Sequence, residues 1–496
     1  MDEAGGRNTG RAERAPLLQV EAIDLFERDV TLRMPFRFGV VTLTAAPQAF
    51  ARVRVRLTDG RSAEGMAAEL LAPKWFDKNP ALSNEDNFDQ LRAALALARG
   101  LYLGGEPATA FGHFARHYRE QIQRGAMQGL IPLVANYGPA LIDRAVLDGL
   151  CRALGLPFQE VVRRNLAGIA AGELCRDLAG FDLDAFLVGL AQAESIEARH
   201  TVGLLDPITR AEQAERVGDG LPETLEEVVG AYGHRWFKLK VAGQIDADIE
   251  RLARIASVLD RIDGGYRASL DGNEQYDSIV GVAALWSRMR ADPRLARLCD
   301  SIVFIEQPIK RQAALAHDVG ALSAQKPVIV DESDDSLDAF PRAREVGYRG
   351  VSSKTCKGLY KSILNRARCA KWNREAGHDD RADLQSAPFF MSAEDLTIQA
   401  GLALQQDLAL VSLLGIGHVE RNGHHYVNGM AALGAAEQQG FLAAHPDLYE
   451  QSRGAVRVRI DKGTLSIGSL GGVGYASGAA PDWASMRPMP PGGGGK

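Results

Sequence analysis

The chain is poor in cysteine. Five are scattered along 496 residues, at Cys151, Cys175, Cys299, Cys356 and Cys369. The number is odd, the spacings are wide and no C-x-x-C occurs. That argues against a disulfide framework and against a structural zinc site, and it leaves reduced thiols in a cytoplasmic protein as the expectation. Also missing is any run of about 18 apolar residues, so no membrane-spanning helix is expected. Met1 to Pro16 is polar, carries Arg7, Arg11 and Arg14, and lacks the apolar core of a secretory signal. Positive charge is not in excess either. Lys plus Arg total 57 against 63 Asp plus Glu, a net charge of −6. That balance speaks against nucleic acid and against an anionic membrane as partners. No G-x-G-x-x-G follows the first strands and no Walker A sequence occurs, which weakens a dinucleotide or P-loop reading.

What is present is a core-forming composition, 46% apolar and 24% charged, as in soluble globular proteins. At roughly 100–200 residues per domain the length allows several domains. Residues 17–70 alternate apolar and polar positions, and the Asp-Gly of TDGR marks a hairpin between two such runs. Over residues 84–165 the period becomes helical. The first part therefore reads as an α+β domain of sheet followed by helices. From about residue 198 short β-branched runs alternate with helical ones. The runs are RHTVGLL, RWFKLKV, YRASLDG, SIVFIEQP, KPVIVDES, GYRGVSSKT, APFFMSAED and VSLLGIGHVE. Eight such runs separated by helices predict an α/β TIM-type barrel, with an open doubly wound sheet as the rival.

The barrel places chemistry at the C-terminal ends of its strands. Asp271, Glu306 and Asp331 each end an apolar run, 35 and 25 residues apart. Neighbouring strands are about 4.8 Å apart, so the three carboxylates can converge. Unpaired, they would resist ionisation. A hard divalent cation, Mg²⁺ or Mn²⁺, resolves that repulsion. The bland alternative is that each acid caps the following helix. Lys238 and Lys240 are two apart on one strand and so share a face. If Leu239 packs outward, both point into the barrel, where each should lower the other's pKa and make a general base. The alternative is a solvated face. Lys354 ends a strand across the mouth. These parts fit removal of a proton α to the carboxylate of a small-molecule substrate.

In these residues the chain resembles the enolase superfamily, in particular its mandelate racemase/muconate lactonizing branch (muconate cycloisomerase-like subgroup). The resemblance spans roughly residues 17–470 and rests on K-x-K at Lys238-Leu239-Lys240, on LDGNEQY, FIEQPI and IVDES, and on Lys354. It implies an α+β capping domain, a (β/α)₇β barrel and a C-terminal segment returning to the cap. The boundaries expected are a disordered N-terminus at 1–15, the cap at 16–166, an inserted helical linker at 167–197, the barrel at 198–420, the returning segment at 421–470 and a disordered Gly/Pro-rich tail at 471–496.

The resemblance also implies roles. Asp271, Glu306 and Asp331 become metal ligands, with Glu332 exchangeable for Asp331. Lys240 becomes an acid/base, Lys238 neutralises the substrate carboxylate, and Asn273 contacts the substrate or the ligand shell. Lys354 becomes the opposite acid/base or a cation that only stabilises the enediolate, with Lys357 as its competitor. Homo-oligomers are common in the family. Its two covering loops look like MPFRFGVVT and LAPKWFDKNP, which nominate Arg37 for a second anionic group and Trp75 for excluding water, each alternatively a packing residue of the cap. Near the last strands, Glu394 or Asp395 faces the substrate or caps a helix, and His418 reaches the site or is structural. The His424–His425 pair has no third ligand at metal spacing and reads as structural.

Two departures bear on the substrate. Ser352-Ser353-Lys354 stands where the subgroup usually has Asn-Ile-Lys, and GIGHVERNGHH lacks the Asp-x-Asp typical of dipeptide epimerases. The expected reaction is racemisation, epimerisation or cycloisomerisation. The alternatives are β-elimination from an acid sugar and a non-catalytic binding protein that kept the barrel.

Overall fold

The computed structural model describes residues 15–38, 41–213, 215–379, 387–394, 399–422 and 425–492. Three antiparallel strands open the chain: β1 (Leu18–Phe38), β2 (Val41–Leu57) and β3 (Ser62–Leu70). The expected hairpin turn joins β2 to β3, with Leu57 N donating to Arg61 O at 2.8 Å and Gly60 at φ 93°. Only glycine takes that backbone conformation without strain.

Three helices follow: α1 (Asn84–Tyr102), α2 (Ala110–Met127) and α3 (Pro132–Leu154). Ser83 and Asp86 form a capping box at the start of α1, and Gly155 ends α3 in the left-handed conformation. α3 is buried along nearly its whole length because it lies between β3 and the other two helices. Its approach to β3 is possible because Gly65 and Gly149 have no side chains. A Cβ on Gly65 would overlap Ala145 O and Gly149 N, both backbone atoms. Gly65→Ala should therefore destabilise the protein by about 3 kcal/mol, the upper end for overpacking. A fall in the thermal midpoint checks this, and an unchanged midpoint would mean that α3 yields.

The second domain is a barrel of eight parallel strands: β4 (Ser195–Val202), β5 (Trp236–Lys240), β6 (Arg267–Asp271), β7 (Ile302–Glu306), β8 (Val328–Val330), β9 (Gly350–Ser353), β10 (Phe390–Ala393) and β11 (His418–Glu420). The ladder runs β10-β9-β8-β7-β6-β5-β4-β11. Its two ends, β10 and β11, lie side by side. Arg199 of β4 reaches across to Ser392 Oγ at 2.9 Å and Ala393 O at 2.8 Å. Seven of the eight runs read from the sequence contain their strand, and RHTVGLL holds only the second half of β4. Leu239 packs outward in the main core, which turns Lys238 and Lys240 inward. No helix among the described residues is long and apolar enough to cross a membrane.

Two expectations are corrected. The linker piece AFLVGLAQAESIEARH is only partly helical. The helix spans Leu183–Val188, and Ser195 already begins β4. The end of the run joins the barrel as the first part of β4, which pairs with β5 on one side and β11 on the other. The tail is also ordered as far as residue 492. After β12 (Tyr449–Ser452), β13 (Ala455–Val458) and β14 (Thr464–Ser466), which pairs with β4, the chain crosses back to the cap. Tyr475 is buried and stacks on Phe158 at 4.0 Å. Trp483 packs against Phe26, and β15 (Arg487–Pro488) adds to the edge of β1. Buried aromatics and an edge to pair with outweigh the Gly/Pro composition. Residues 1–14 and 493–496 lie outside the described part.

Candidate active site

Every strand from β5 to β11 ends in or beside a charged residue, and these side chains meet at the barrel mouth. At the centre is Lys238. Its Nζ lies 2.9 Å from Asp271 Oδ2, 2.9 Å from Glu306 Oε1, 2.6 Å from Glu394 Oε2 and 3.0 Å from Glu420 Oε2. Burial alone would push this lysine down, but the four carboxylates hold it well above the usual lysine range. The expectation that paired lysines depress one another is thus corrected for Lys238. Two of its four acids come from strands far along the chain, which local spacing does not reveal.

The flanks of the cluster are lysines too. Lys240 Nζ lies 2.5 Å from Asp271 Oδ2. On the other side Lys354 Nζ lies 2.9 Å from Asp331 Oδ2, and Lys357 Nζ is 3.3 Å from Asp331 Oδ1 and 2.8 Å from Ser352 Oγ. Burial lowers Lys354 as well, and Asp331, Glu420 and Glu306 together more than offset it, so the net direction is upward. Asp331 resists the penalty of burial because Lys354, Lys357 and Lys238 hold it well below the usual carboxylate range. Asp271 is likewise lowered by Lys238 and Lys240 against burial. Glu306 goes the other way. Burial and the neighbouring Asp271 and Glu394 push it well up, and its Oε2 has no hydrogen-bond partner.

The donor set fits a hard divalent cation: oxygen ligands only, from consecutive strands, with Glu306 Oε2 buried and unsatisfied and the Glu306 charge repelled by its neighbours. As the side chains stand, no group of three or more His, Cys, Asp or Glu among the described residues is arranged to hold a metal. Asp271 and Glu306 instead share Lys238, so metal entry requires that ammonium to yield some of its contacts.

The remaining candidates divide. Asn273 N donates to Asp271 Oδ1 at 2.8 Å and its Nδ2 to Glu332 Oε1 at 3.3 Å. Glu332 faces the cap, where Lys78 Nζ is 3.3 Å away. Glu394 joins the cluster through Lys238 and also pairs with Arg199. Trp75 covers Lys354, with 4.4 Å from Nζ to the ring centroid. Arg37, at the end of β1, is only half-buried. Among the described residues it makes no hydrogen bond or ion pair with the cluster. His418 sits inside the barrel below the mouth, stacked on Trp236 at 4.1 Å. Two residues on, on the same face of β11, it is Glu420 that reaches Lys238. Asp395 and His424 lie outside the described residues.

Sequence reasoning missed Arg199, Lys78 and Arg311 altogether. Arg199 lies within a β-run but was not singled out. Its signal was a charge among β-branched residues, the same kind that exposed Lys238. Arg311 donates to Trp75 O at 2.8 Å and Phe76 O at 2.6 Å, a cap-to-barrel contact with no sequence signature.

Residues 220–399, which hold β5 to β10 and every residue of the cluster except Arg199 and Glu420, match the family model described as Enolase C-terminal domain-like. This stretch is similar to the enolase C-terminal domain-like family. Solved structures extend the likeness of fold over the cap as well. Muconate lactonizing enzyme from Pseudomonas fluorescens, complexed with muconolactone, is 17% identical over 95% of this chain and 98% of its own, with a TM-score of 0.57. The 2-chloromuconate cycloisomerase from Rhodococcus opacus 1CP is 18% identical over 94% and 98%, TM-score 0.55. An enolase from the alphaproteobacterium BAL199 with bound magnesium is 13% identical over 94% and 98%, TM-score 0.56. No curated protein matches the chain in sequence. The cluster occupies the C-terminal strand ends, where a barrel of this architecture carries its chemistry.

Proposed function

We propose that the protein is an isomerase that removes the proton α to the carboxylate of a small-molecule substrate, with a divalent cation, Mg²⁺ in the first instance, held by Asp271, Glu306 and Asp331. One observation carries the reading. Lys240 and Lys354 stand on opposite sides of the acid triad, the first against Asp271 and the second against Asp331. Two bases facing one another across a bound substrate suit transfer of a proton from one face of a carbon to the other. The bound cation would supply positive charge to the substrate carboxylate as its α-carbon gives up the proton. Lys238 holds the carboxylates of Glu394 and Glu420 away from the substrate and adds charge beneath it. Trp75 and Phe76 close the mouth against water.

Racemisation and epimerisation begin with this step, and cycloisomerisation uses it in the lactone-opening direction. Two of the solved structures with this fold are a muconate lactonizing enzyme and a 2-chloromuconate cycloisomerase, which supports cycloisomerisation as the first overall reaction to try. The test is proton exchange in D₂O, followed by NMR over a panel of lactones, amino-acid derivatives and acid sugars, with Mg²⁺ and with a chelator. Exchange of an α-proton that needs Mg²⁺ is the expected result. Exchange undiminished by the chelator would overturn the metal assignment.

A further inference from the structure

Lys354 is held from two domains at once. Asp331 of the barrel lies 2.9 Å from its Nζ, and the indole of Trp75, from the loop after β3, lies 4.4 Å from the same atom. The indole is itself fixed. Arg311 of the barrel donates to the carbonyls of Trp75 and Phe76. The Phe76 ring stands edge-on to Trp75 at 4.8 Å and rests on Tyr137 at 5.2 Å. Lys74, one residue earlier, has φ 61°, a left-handed turn in the loop, and its N–H is held by Asn87 Oδ1 at 2.9 Å. Trp75 is 2% exposed and Lys354 3% exposed. A ring so enclosed, with its face on an ammonium, has little surface left for a substrate.

A lysine has four rotatable carbons, and other acids compete for this one: Glu420 and Glu306 also attract the Lys354 charge. The ring face attracts the ammonium in turn. It thereby opposes a swing toward the centre of the cluster, where Lys238 already sits. We propose that Trp75 is a positioning residue, whose indole face holds Lys354 Nζ at the Asp331 side of the mouth, opposite Lys240, instead of contacting the substrate. This rests on the proposed function in giving Lys354 a proton-transfer role.

The test uses the full chain as wild type, Trp75→Phe and Trp75→Leu. The first variant keeps a ring face and the second does not. α-Proton exchange in D₂O is followed separately for the two enantiomers of a substrate. In Trp75→Leu the exchange that depends on Lys354 should fall roughly tenfold relative to the exchange that depends on Lys240, and Trp75→Phe should change that ratio less. Equal loss on both faces, or loss on neither, overturns the proposal.

A second readout needs no turnover. Trace labelling with acetic anhydride, mapped by mass spectrometry and normalised to the exposed Lys310, reports how closely Lys354 is held. Greater labelling of Lys354 in Trp75→Leu than in wild type and Trp75→Phe is expected. Equal labelling in all three overturns the positioning role. If wild type exchanges no α-proton, it is the isomerase reading that fails, and the labelling still decides the placement of Lys354.

Discussion

Lys238→Met should destabilise the protein by about 3–5 kcal/mol, the cost of removing one partner from a buried ion cluster. The ammonium neutralises Asp271, Glu306, Glu394 and Glu420 within 3.0 Å, and all four are buried. Methionine fills similar space but leaves the four carboxylates facing one another, and some must take up protons to remain inside. The measurement is a denaturant midpoint in the presence of a chelator. Glu394→Gln added to Lys238→Met should recover part of the loss by removing one of the charges. Mg²⁺ should also recover part, because an ion that binds only the folded state stabilises it by mass action. A Lys238→Met protein as stable as wild type in chelator would show that the cluster is not held by this ammonium.

Lys240→Ala should lower the rate of α-proton removal by about 10²–10⁴, the usual contribution of a positioned general base. Its effect on stability should be much smaller than that of Lys238→Met. The carboxylate it leaves behind, Asp271, keeps Lys238 at 2.9 Å. The two adjacent lysines of one strand thus separate by readout, one in stability and the other in rate. Circular dichroism and the midpoint check the fold, and single-turnover kinetics check the rate. A Lys240→Ala enzyme with wild-type exchange at both faces of the substrate would remove this residue from the chemistry.

Much of the site was legible in the sequence because the barrel converts strand parity and strand ends into geometry. The Lys238–Lys240 pair follows from a period of two. Asp271, Glu306 and Asp331 were visible because each interrupts an apolar run at its end. Lys354 was visible for the same reason. Where the strand is short, the rule blurs. β11 has three residues, His418 and Glu420 share a face, and only packing shows which one stands at the mouth. Contacts between domains left no local trace. Lys78 and Arg311 bind the cap loop to the barrel through partners about 195 and 235 residues distant in sequence. The tail from 471 misled because composition reports what a segment is made of, while Phe158, Phe26 and the free edge of β1 decide whether it finds a surface. The lysine charge state misled for a related reason. A pair of lysines alone would depress one another, but four carboxylates gathered from four strands reverse the sign.

The proposed chemistry needs two lysines acting from opposite faces of one carbon. It is tested most directly by α-proton exchange in D₂O, measured with each enantiomer of a substrate, in Lys240→Ala and Lys354→Ala side by side. The account predicts that each variant loses exchange with one enantiomer and keeps it with the other, in opposite senses. Loss of both enantiomers in Lys240→Ala together with full exchange of both in Lys354→Ala would contradict it and leave Lys354 as a bystanding cation.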